Sequence, residues 1–262
     1  MLNPSYVSLF CPKTKKPLVK IGNELLTEDG QQRYPVIEEI PDCTCPLNLG
    51  KDDQQSLRLY EYLAPFYRWT ERVFGRILIG VNILEKRNEL AALIPAKEGE
   101  VVLEVSPGPG IYQAALASKV GASGRLVALD LSRGMLRQCC KVTAKQVPLP
   151  QLVQGNAAYL PFENNVFDGL FHFGGVNLFS EPTRALNEFS RVVKPGGWVV
   201  FGDEQFSAAW SSRKDWRAKV LRSMNPGFER QPPEVPLLLE CLSSHEVFDG
   251  VGYLRVCKVP MR

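Results

Sequence analysis

One stretch constrains the chain more than any other: Val101-Val-Leu-Glu-Val-Ser-Pro-Gly-Pro-Gly-Ile-Tyr112. An apolar run of strand length carries a carboxylate at Glu104, and a tight loop with Gly108 and Gly110 opens onto a helix-compatible segment. Glycines there let backbone N–H groups approach a ligand with no Cβ in the way, and a helix N-terminus beside them favours polar and anionic groups. Asp130 stands twenty residues beyond Gly110 and closes a second apolar run, Arg125-Leu-Val-Ala-Leu-Asp130. An acidic residue at the tip of the next strand is placed to grip ribose hydroxyls. A dinucleotide fingerprint fits less well, because it wants a third glycine where Gln113 stands. The stretch therefore predicts a nucleoside site at the edge of a parallel sheet.

From 101 onward, strand and helix patterns alternate regularly. Strands are expected at 101–105, 125–129, 151–154, 166–171 and 198–202, with helices at about 111–119 and 132–146 and from Glu181 to Val193. Lys194-Pro-Gly-Gly197 ends the last of these. A polar stretch and helices are expected to fill 207–243, and His245 to Val259 reads as two strands around a turn at Asp249 to Gly252. The predicted fold class is α/β: a Rossmann-like, doubly wound, mostly parallel seven-stranded sheet with an antiparallel last strand, plus a small N-terminal β-rich domain. The boundary falls near residue 48, giving units 1–48 and 49–262. The segment at about 51–95 reads as a helical, aromatic-rich lid that Pro65 divides.

The 262 residues suit one main domain with an appendage. A net charge of +3 argues against a nucleic-acid surface spanning the protein. The apolar run Arg76 to Leu84 is too short for a membrane span, and no secretory signal pattern opens the sequence. Seven cysteines without a paired spacing point to a reduced, cytoplasmic chain, and a homodimer is compatible with the sequence.

Residues 1–48 contain Cys11-Pro-Lys-Thr14, a hairpin signal at Gly22-Asn23 between Leu18–Ile21 and Glu24–Thr27, then Tyr34-Pro-Val36 and Ile40-Pro41. This resembles the zinc-ribbon-like domain that precedes the catalytic domain in some methyltransferases, including certain ribosomal-RNA guanine methyltransferases. The metal half is missing: Thr14 replaces a cysteine, and Thr27 and Gly30 occupy the approximate positions of another pair. Cys11, Cys43 and Cys45 supply three ligands at most, so a degenerate, metal-free ribbon is expected.

From about 50 to 259 the chain resembles class I S-adenosylmethionine-dependent methyltransferases, in the branch containing the ubiquinone and menaquinone biosynthesis enzymes. Four marks occur in order: Glu104-Val-Ser-Pro-Gly-Pro-Gly110, Asp130, Gln154-Gly-Asn-Ala-Ala-Tyr-Leu-Pro-Phe162, and Phe167-Asp168 followed by Asn187 to Gly197. The resemblance implies S-adenosyl-L-methionine as cofactor, leaving as S-adenosyl-L-homocysteine. Glu104 and the backbone from Ser106 through Gly108 to Gly110 would hold its methionine part. Asp130 would take the ribose, Leu131 or Met135 would pack on adenine, and Asn156 and Ala157 would read the adenine edge. Ser106 replaces the first glycine of the pattern, which is harmless provided it keeps an ordinary φ. Asn156 replaces an aspartate.

Methyl transfer is in-line attack on a sulfonium methyl, so alignment matters most. The acceptor should sit beyond the C-terminal ends of the fourth and fifth strands. His172 is a candidate base there, set against a histidine simply hydrogen-bonded in the sheet. Tyr60, Tyr67, Asn177 and Glu204 are candidate acceptor contacts, with Gln205 beside them. Asp168 reads as a strand-end residue that holds a loop, and Glu188 with Arg191 as a helix-surface pair. No Asn/Asp-Pro-Pro-Tyr follows the fourth strand, and Cys139-Cys140 falls within a helix. The expected activity is methylation of a small, fairly apolar organic acceptor at oxygen or carbon, such as a phenol or quinol. The rivals are an RNA base methyltransferase using Lys13, Lys15, Lys16 and Lys20, and a cofactor-binding protein with a non-methylating role.

Overall fold

The computed structural model describes residues 6–44, 49–224 and 226–261. Cys45 lies outside them. Strands β1 (Leu18–Ile21), β2 (Glu24–Thr27), β3 (Arg33–Ile37) and β4 (Ile40–Pro41) form a small antiparallel sheet in that order. Gly22, at φ +60°, supplies the expected hairpin turn. This sheet has no core of its own. Leu9, Leu18, Leu25 and Tyr34 belong to the same buried cluster as Val153, Leu160 and Phe162 of the larger unit. A parallel bridge joins Asp42 to Gln154, and the Cys43 N–H donates to the Gln154 carbonyl (2.8 Å). Cys11 Sγ lies 3.1 Å from the Tyr34 hydroxyl, and among the described residues no three acidic, His or Cys side chains could hold a metal.

Helix α1 (Lys51–Leu63) ends before Pro65, as the pyrrolidine ring requires, and α2 (Tyr67–Phe74) follows. A π-turn at Gly75–Ile79 leads to a third helix, α3 (Ile83–Ala92), which the sequence reading had merged with the second. α3 packs Leu90 and Ala91, with Ile94 just beyond its end, against the sheet and serves as one of its covering helices.

The main sheet contains β5 (Val101–Val105), β6 (Arg125–Asp130), β7 (Gln151–Gln154), β8 (Phe167–Phe173), β9 (Val193–Glu204), β10 (Glu240–Val247) and β11 (Gly252–Lys258). Their order is β10-β11-β9-β8-β5-β6-β7. β5 through β9 run parallel, while β11 is antiparallel to both of its neighbours. Helix α4 (Gln113–Val120) joins α3 on one face, over Val102, Leu126, Phe171 and Val200. The other face, with Leu103, Val105, Leu170 and Phe201, packs on α6 (Pro182–Val192) through Leu186 and Phe189. Helix α5 (Arg133–Thr143) is capped by Ser132, whose hydroxyl accepts from the Met135 N–H (3.1 Å).

Several boundaries moved. β9 begins at Val193, because the Lys194-Pro-Gly-Gly segment continues the pairing with β8 through an irregularity that sets Trp198 over Gly169. Helices α7 (Ala208–Ser211) and α8 (Trp216–Met224) are followed by an irregular segment and by β10 from Glu240, inside the region expected to be helical. The cysteines read as reduced include a disulfide, Cys241–Cys257, between cross-strand partners of the β10–β11 hairpin. No helix among the described residues is long and apolar enough to cross a membrane.

Candidate cofactor and acceptor site

Strand β5 delivers Glu104 into the protein and hands the chain to the glycine loop. The Ser106 N–H still donates to Leu129 (2.8 Å), and the chain then turns away. Ser106 adopts φ +56°, so the ordinary backbone expected for it is not met: this position needs the left-handed region that glycine occupies freely. The two glycines serve different ends. A Cβ on Gly108 would meet nothing within 4 Å and would point into a cavity, whereas one on Gly110 would press on Cys139 Sγ at 3.2 Å. Gly108 opens the site, and Gly110 lets α5 approach the loop.

Two buried carboxylates flank this loop. Asp130 accepts from the Ser132 N–H (2.8 Å) and the Gly108 N–H (3.1 Å), and burial still pushes its carboxyl up to about 6. Glu104 is hydrogen-bonded by the Gln113 amide, and burial pushes it up to about 8. The Gln113 Oε1 is buried without a partner. Acidic groups desolvated to this degree beside a glycine cradle fit a ligand that brings a cation and hydroxyl donors, as S-adenosylmethionine does.

The loop, Asp130, Leu131, Ser132 and Met135 line one chamber, closed by Tyr60 of α1 and Gly174 after β8. A cavity of about 570 Å³ adjoins it and shares Tyr60, Tyr67, Ile111, Phe173 and Glu204 with it. Tyr60 and Tyr67 meet edge to face, with centroids 6.1 Å apart, and burial pushes both phenols up. The rest of the larger cavity is mostly aliphatic and aromatic, including Leu63, Leu78, Ile83 and Phe228. Its charged lining includes the Arg87–Glu71 ion pair and Arg230, which pairs with Asp52.

Of the residues singled out from sequence, Ser106, Gly108, Asp130, Leu131, Met135, Tyr60, Tyr67 and Glu204 line these spaces. Glu104 and Gly110 sit behind the loop. Asn156 spends its side-chain oxygen capping a short 3₁₀ turn, accepting from the Ala158 N–H (2.8 Å), and Ala157 is buried in the core. Neither lines the cavity. Asn177 is buried in a short 3₁₀ turn after β8: its amide donates to the Glu204 carbonyl (3.1 Å), and its Oδ1 accepts from the Tyr253 hydroxyl (3.1 Å). Gln205 donates to the Arg230 carbonyl (3.2 Å).

His172 is not at the site. In a strand, neighbours point to opposite faces, and Phe171 and Phe173 take the face that looks toward the loop and cavity. His172 is thereby sent to the α6 side, against Phe179 and Phe189. Its Nδ1 bonds the Val105 carbonyl (3.0 Å), its Nε2 has no partner, and burial pulls it down to about 4. Asp168 holds a loop as expected, accepting from the Val101 N–H (2.8 Å) and pairing with Lys194. Glu188 and Arg191 pair within α6, but less superficially than expected, since Lys15 of the small sheet's unit joins them.

Sequence reasoning missed Ser132, Tyr112, and the Glu71–Arg87 pair. It also missed Glu61, which accepts from the Ser132 hydroxyl and the Gly134 N–H (both 2.8 Å) and ties the cap to α5. Glu61 and Glu71 reach these places only through tertiary packing.

Residues 103–201 match the methyltransferase domain family. The central domain has the class I methyltransferase fold. The demethylmenaquinone methyltransferase of Bacillus cereus is 39% identical over 117 residues, covering 44% of this chain and 48% of that protein. The chain thus matches about half the length of such curated relatives. An S-adenosylmethionine-dependent methyltransferase from Aquifex aeolicus superposes with a TM-score of 0.50 at 20% identity, over 68% of this chain and 89% of that one. Phosphoethanolamine N-methyltransferase 1 of Haemonchus contortus, solved with phosphoethanolamine and S-adenosylhomocysteine, gives 0.61 at 10% identity, over 82% and 50%. At these identities the solved structures speak for the fold alone.

Proposed function

We propose that this protein transfers a methyl group from S-adenosylmethionine to an apolar, aromatic acceptor held under the α1–α2 cap. The observation that carries the reading is the 570 Å³ apolar cavity that opens directly off the chamber of the glycine loop. When bound, S-adenosylmethionine supplies an electrophilic methyl. Asp130 would hold the ribose hydroxyls, Glu104, from its place behind the glycine loop, would offset the positive charge of the methionine part, and Leu131 and Met135 would lie beside the base. Gly108 lets the backbone lie close. Tyr60, Tyr67 and Phe173 shape the passage between the two spaces, so they orient an acceptor ring and exclude water. Glu204 is the carboxylate that lines both spaces and is the candidate to hold or receive an acceptor hydroxyl proton.

The Bacillus relatives, named for demethylmenaquinone, support a quinol-like acceptor. The RNA reading draws no such support: of its lysines, Lys15, Lys16 and Lys20 are ion-paired to Glu188, Asp29 and Glu39. The test is formation of S-adenosylhomocysteine with a reduced demethylated naphthoquinone, compared with RNA and with no acceptor. Glu204→Gln should lower kcat by about a hundredfold or more with little change in cofactor affinity. Absence of calorimetric heat with S-adenosylmethionine and S-adenosylhomocysteine overturns the reading at its root.

A further inference from the structure

We propose that the outer face of the α1–α2 cap docks on an anionic phospholipid bilayer, with the mouth of the apolar cavity turned toward the membrane. Tyr62, Phe66 and Trp69 are 78%, 63% and 67% exposed. They are spaced four and three apart, and the Phe66 N–H to Leu63 and Trp69 N–H to Phe66 hydrogen bonds (2.9 and 3.0 Å) keep helical turns through Pro65. The three exposed rings thus fall on successive turns across the α1–α2 junction. Isolated exposed apolar residues are ordinary, but three large aromatic rings left exposed on successive turns of one short segment point to a covering partner. Tyr and Trp suit a membrane interface, where one end of the ring is dry and the other wet.

Charge identifies the partner. Arg58, Arg68, Arg72 and Arg76 are all exposed, and none of them has an ion pair among the described residues. The acidic groups of the same stretch are engaged: Glu61, itself exposed, accepts from the Ser132 hydroxyl and the Gly134 N–H, and Glu71 pairs with Arg87. With four exposed arginines against the exposed Glu61, the outward face from 58 to 77 is aromatic and net positive. A second copy of the chain would set arginines against arginines in a two-fold contact. An anionic bilayer satisfies both components, since the arginine stems lie along the apolar surface while their heads reach phosphates.

The cavity mouth lies at the edge of this patch. Leu59 on α1 and Met224 on α8 both line the cavity and are about half exposed, so they stand at its rim. α8, which packs on the π-turn, adds exposed Trp216 beside Arg217. An apolar molecule dissolved in the bilayer would pass from lipid to cavity without crossing water. The docking stands on this surface alone; its use for acceptor delivery rests on the function proposed above.

The test uses the full chain in co-sedimentation with vesicles of phosphatidylcholine, with and without phosphatidylglycerol. Binding is expected to the anionic vesicles and to fall with added salt. Each arginine contributes about fivefold to partitioning, so Arg72→Gln with Arg76→Gln should lower it about 25-fold. Tyr62→Ser, Phe66→Ser and Trp69→Ser together should cost on the order of tenfold or more, with the melting temperature and S-adenosylhomocysteine binding unchanged. Should the triple variant fail to fold, the arginine pair decides alone. No association with anionic vesicles at low salt, or equal association of the folded variants, overturns the proposal. So does self-association that the variants abolish while vesicle binding is absent. Vesicle binding that persists in a protein unable to bind S-adenosylhomocysteine would sink the proposed reaction and leave the surface standing.

Discussion

Replacing Glu104 by glutamine should stabilise the cofactor-free protein and weaken cofactor binding, by amounts that can be worked out. The carboxyl is raised from 4.5 to about 8 by burial. At pH values below about 4.5 it is protonated in both folded and unfolded chains, and stability is whole. As pH rises, the unfolded chain ionises first, and the folded protein loses stability progressively until its own carboxyl ionises near 8. By pH 7 the loss is about 2.5 pH units at about 1.36 kcal/mol each, or on the order of 3 kcal/mol. Glutamine never ionises, and its amide has a waiting acceptor in the orphaned Oε1 of Gln113. For a chain of this size that is a rise in Tm of about 6 °C at pH 7, shrinking toward nothing at pH 4. Cofactor affinity should fall about 10- to 100-fold in calorimetry, the worth of a hydrogen bond to a charged group. A Tm difference equal at pH 4 and pH 7, or a variant less stable at both, would refute the argument from burial. Unchanged affinity would remove Glu104 from the site.

Three further outcomes follow from the same geometry. Ser106→Gly removes a left-handed conformation that costs a non-glycine residue about 1–2 kcal/mol, offset in part by about 0.4–1 kcal/mol of added freedom in the unfolded chain; Tm should rise by about 1–2 °C, and a fall would contradict the assigned backbone. In the Glu104→Gln background, cofactor affinity should drop about tenfold from pH 7 to pH 5 as Asp130, raised to about 6, takes a proton; in calorimetry, Asp130→Asn should bind more weakly and show no such dependence. His172→Asn keeps a donor for the Val105 carbonyl and should leave turnover within about threefold, whereas a loss of about a hundredfold or more would restore the histidine as a base. The same variant should blunt acid destabilisation, because a histidine pulled to about 4 contributes stability that is complete above 6.5 and lost as pH falls toward 4.

What could be read from the sequence followed from local physics. The apolar runs around Glu104 and Asp130 gave their strands because short, β-branched, buried segments of a parallel sheet leave a continuous signal. Pro65 broke the cap where it stands, because its ring bars a continuous helix. The third helix was lost in the same region because Ile83–Ala92 has its apolar side on the sheet and its neighbours' signal runs straight into it. The first half of β10, Glu240–Ser244, was missed for a related reason: the strand alternates intermediate and exposed residues at a sheet edge, so little apolar signal marks where it begins. His172 was within reach of sequence reasoning. Once Phe167–Phe173 is taken as a strand, Phe171 and Phe173 must share a face that His172 cannot. Asn156 could not be judged in that way, since an Asx cap and a ligand contact ask for the same side chain at the same place, and only the bond to the Ala158 N–H distinguishes them. The Glu71–Arg87 pair and the Glu61 anchor depend on how the cap folds back over the sheet, a tertiary fact with no periodicity to announce it. That division explains why the glycine loop and the strand tips beside it were legible, while of the larger cavity's lining Tyr60, Tyr67 and Glu204 were singled out and the rest was not. The cofactor groups stand on consecutive strand tips whose spacing the chain itself fixes, whereas the acceptor cavity is assembled from α1, α2, α8 and the segment after β9, brought together only by packing.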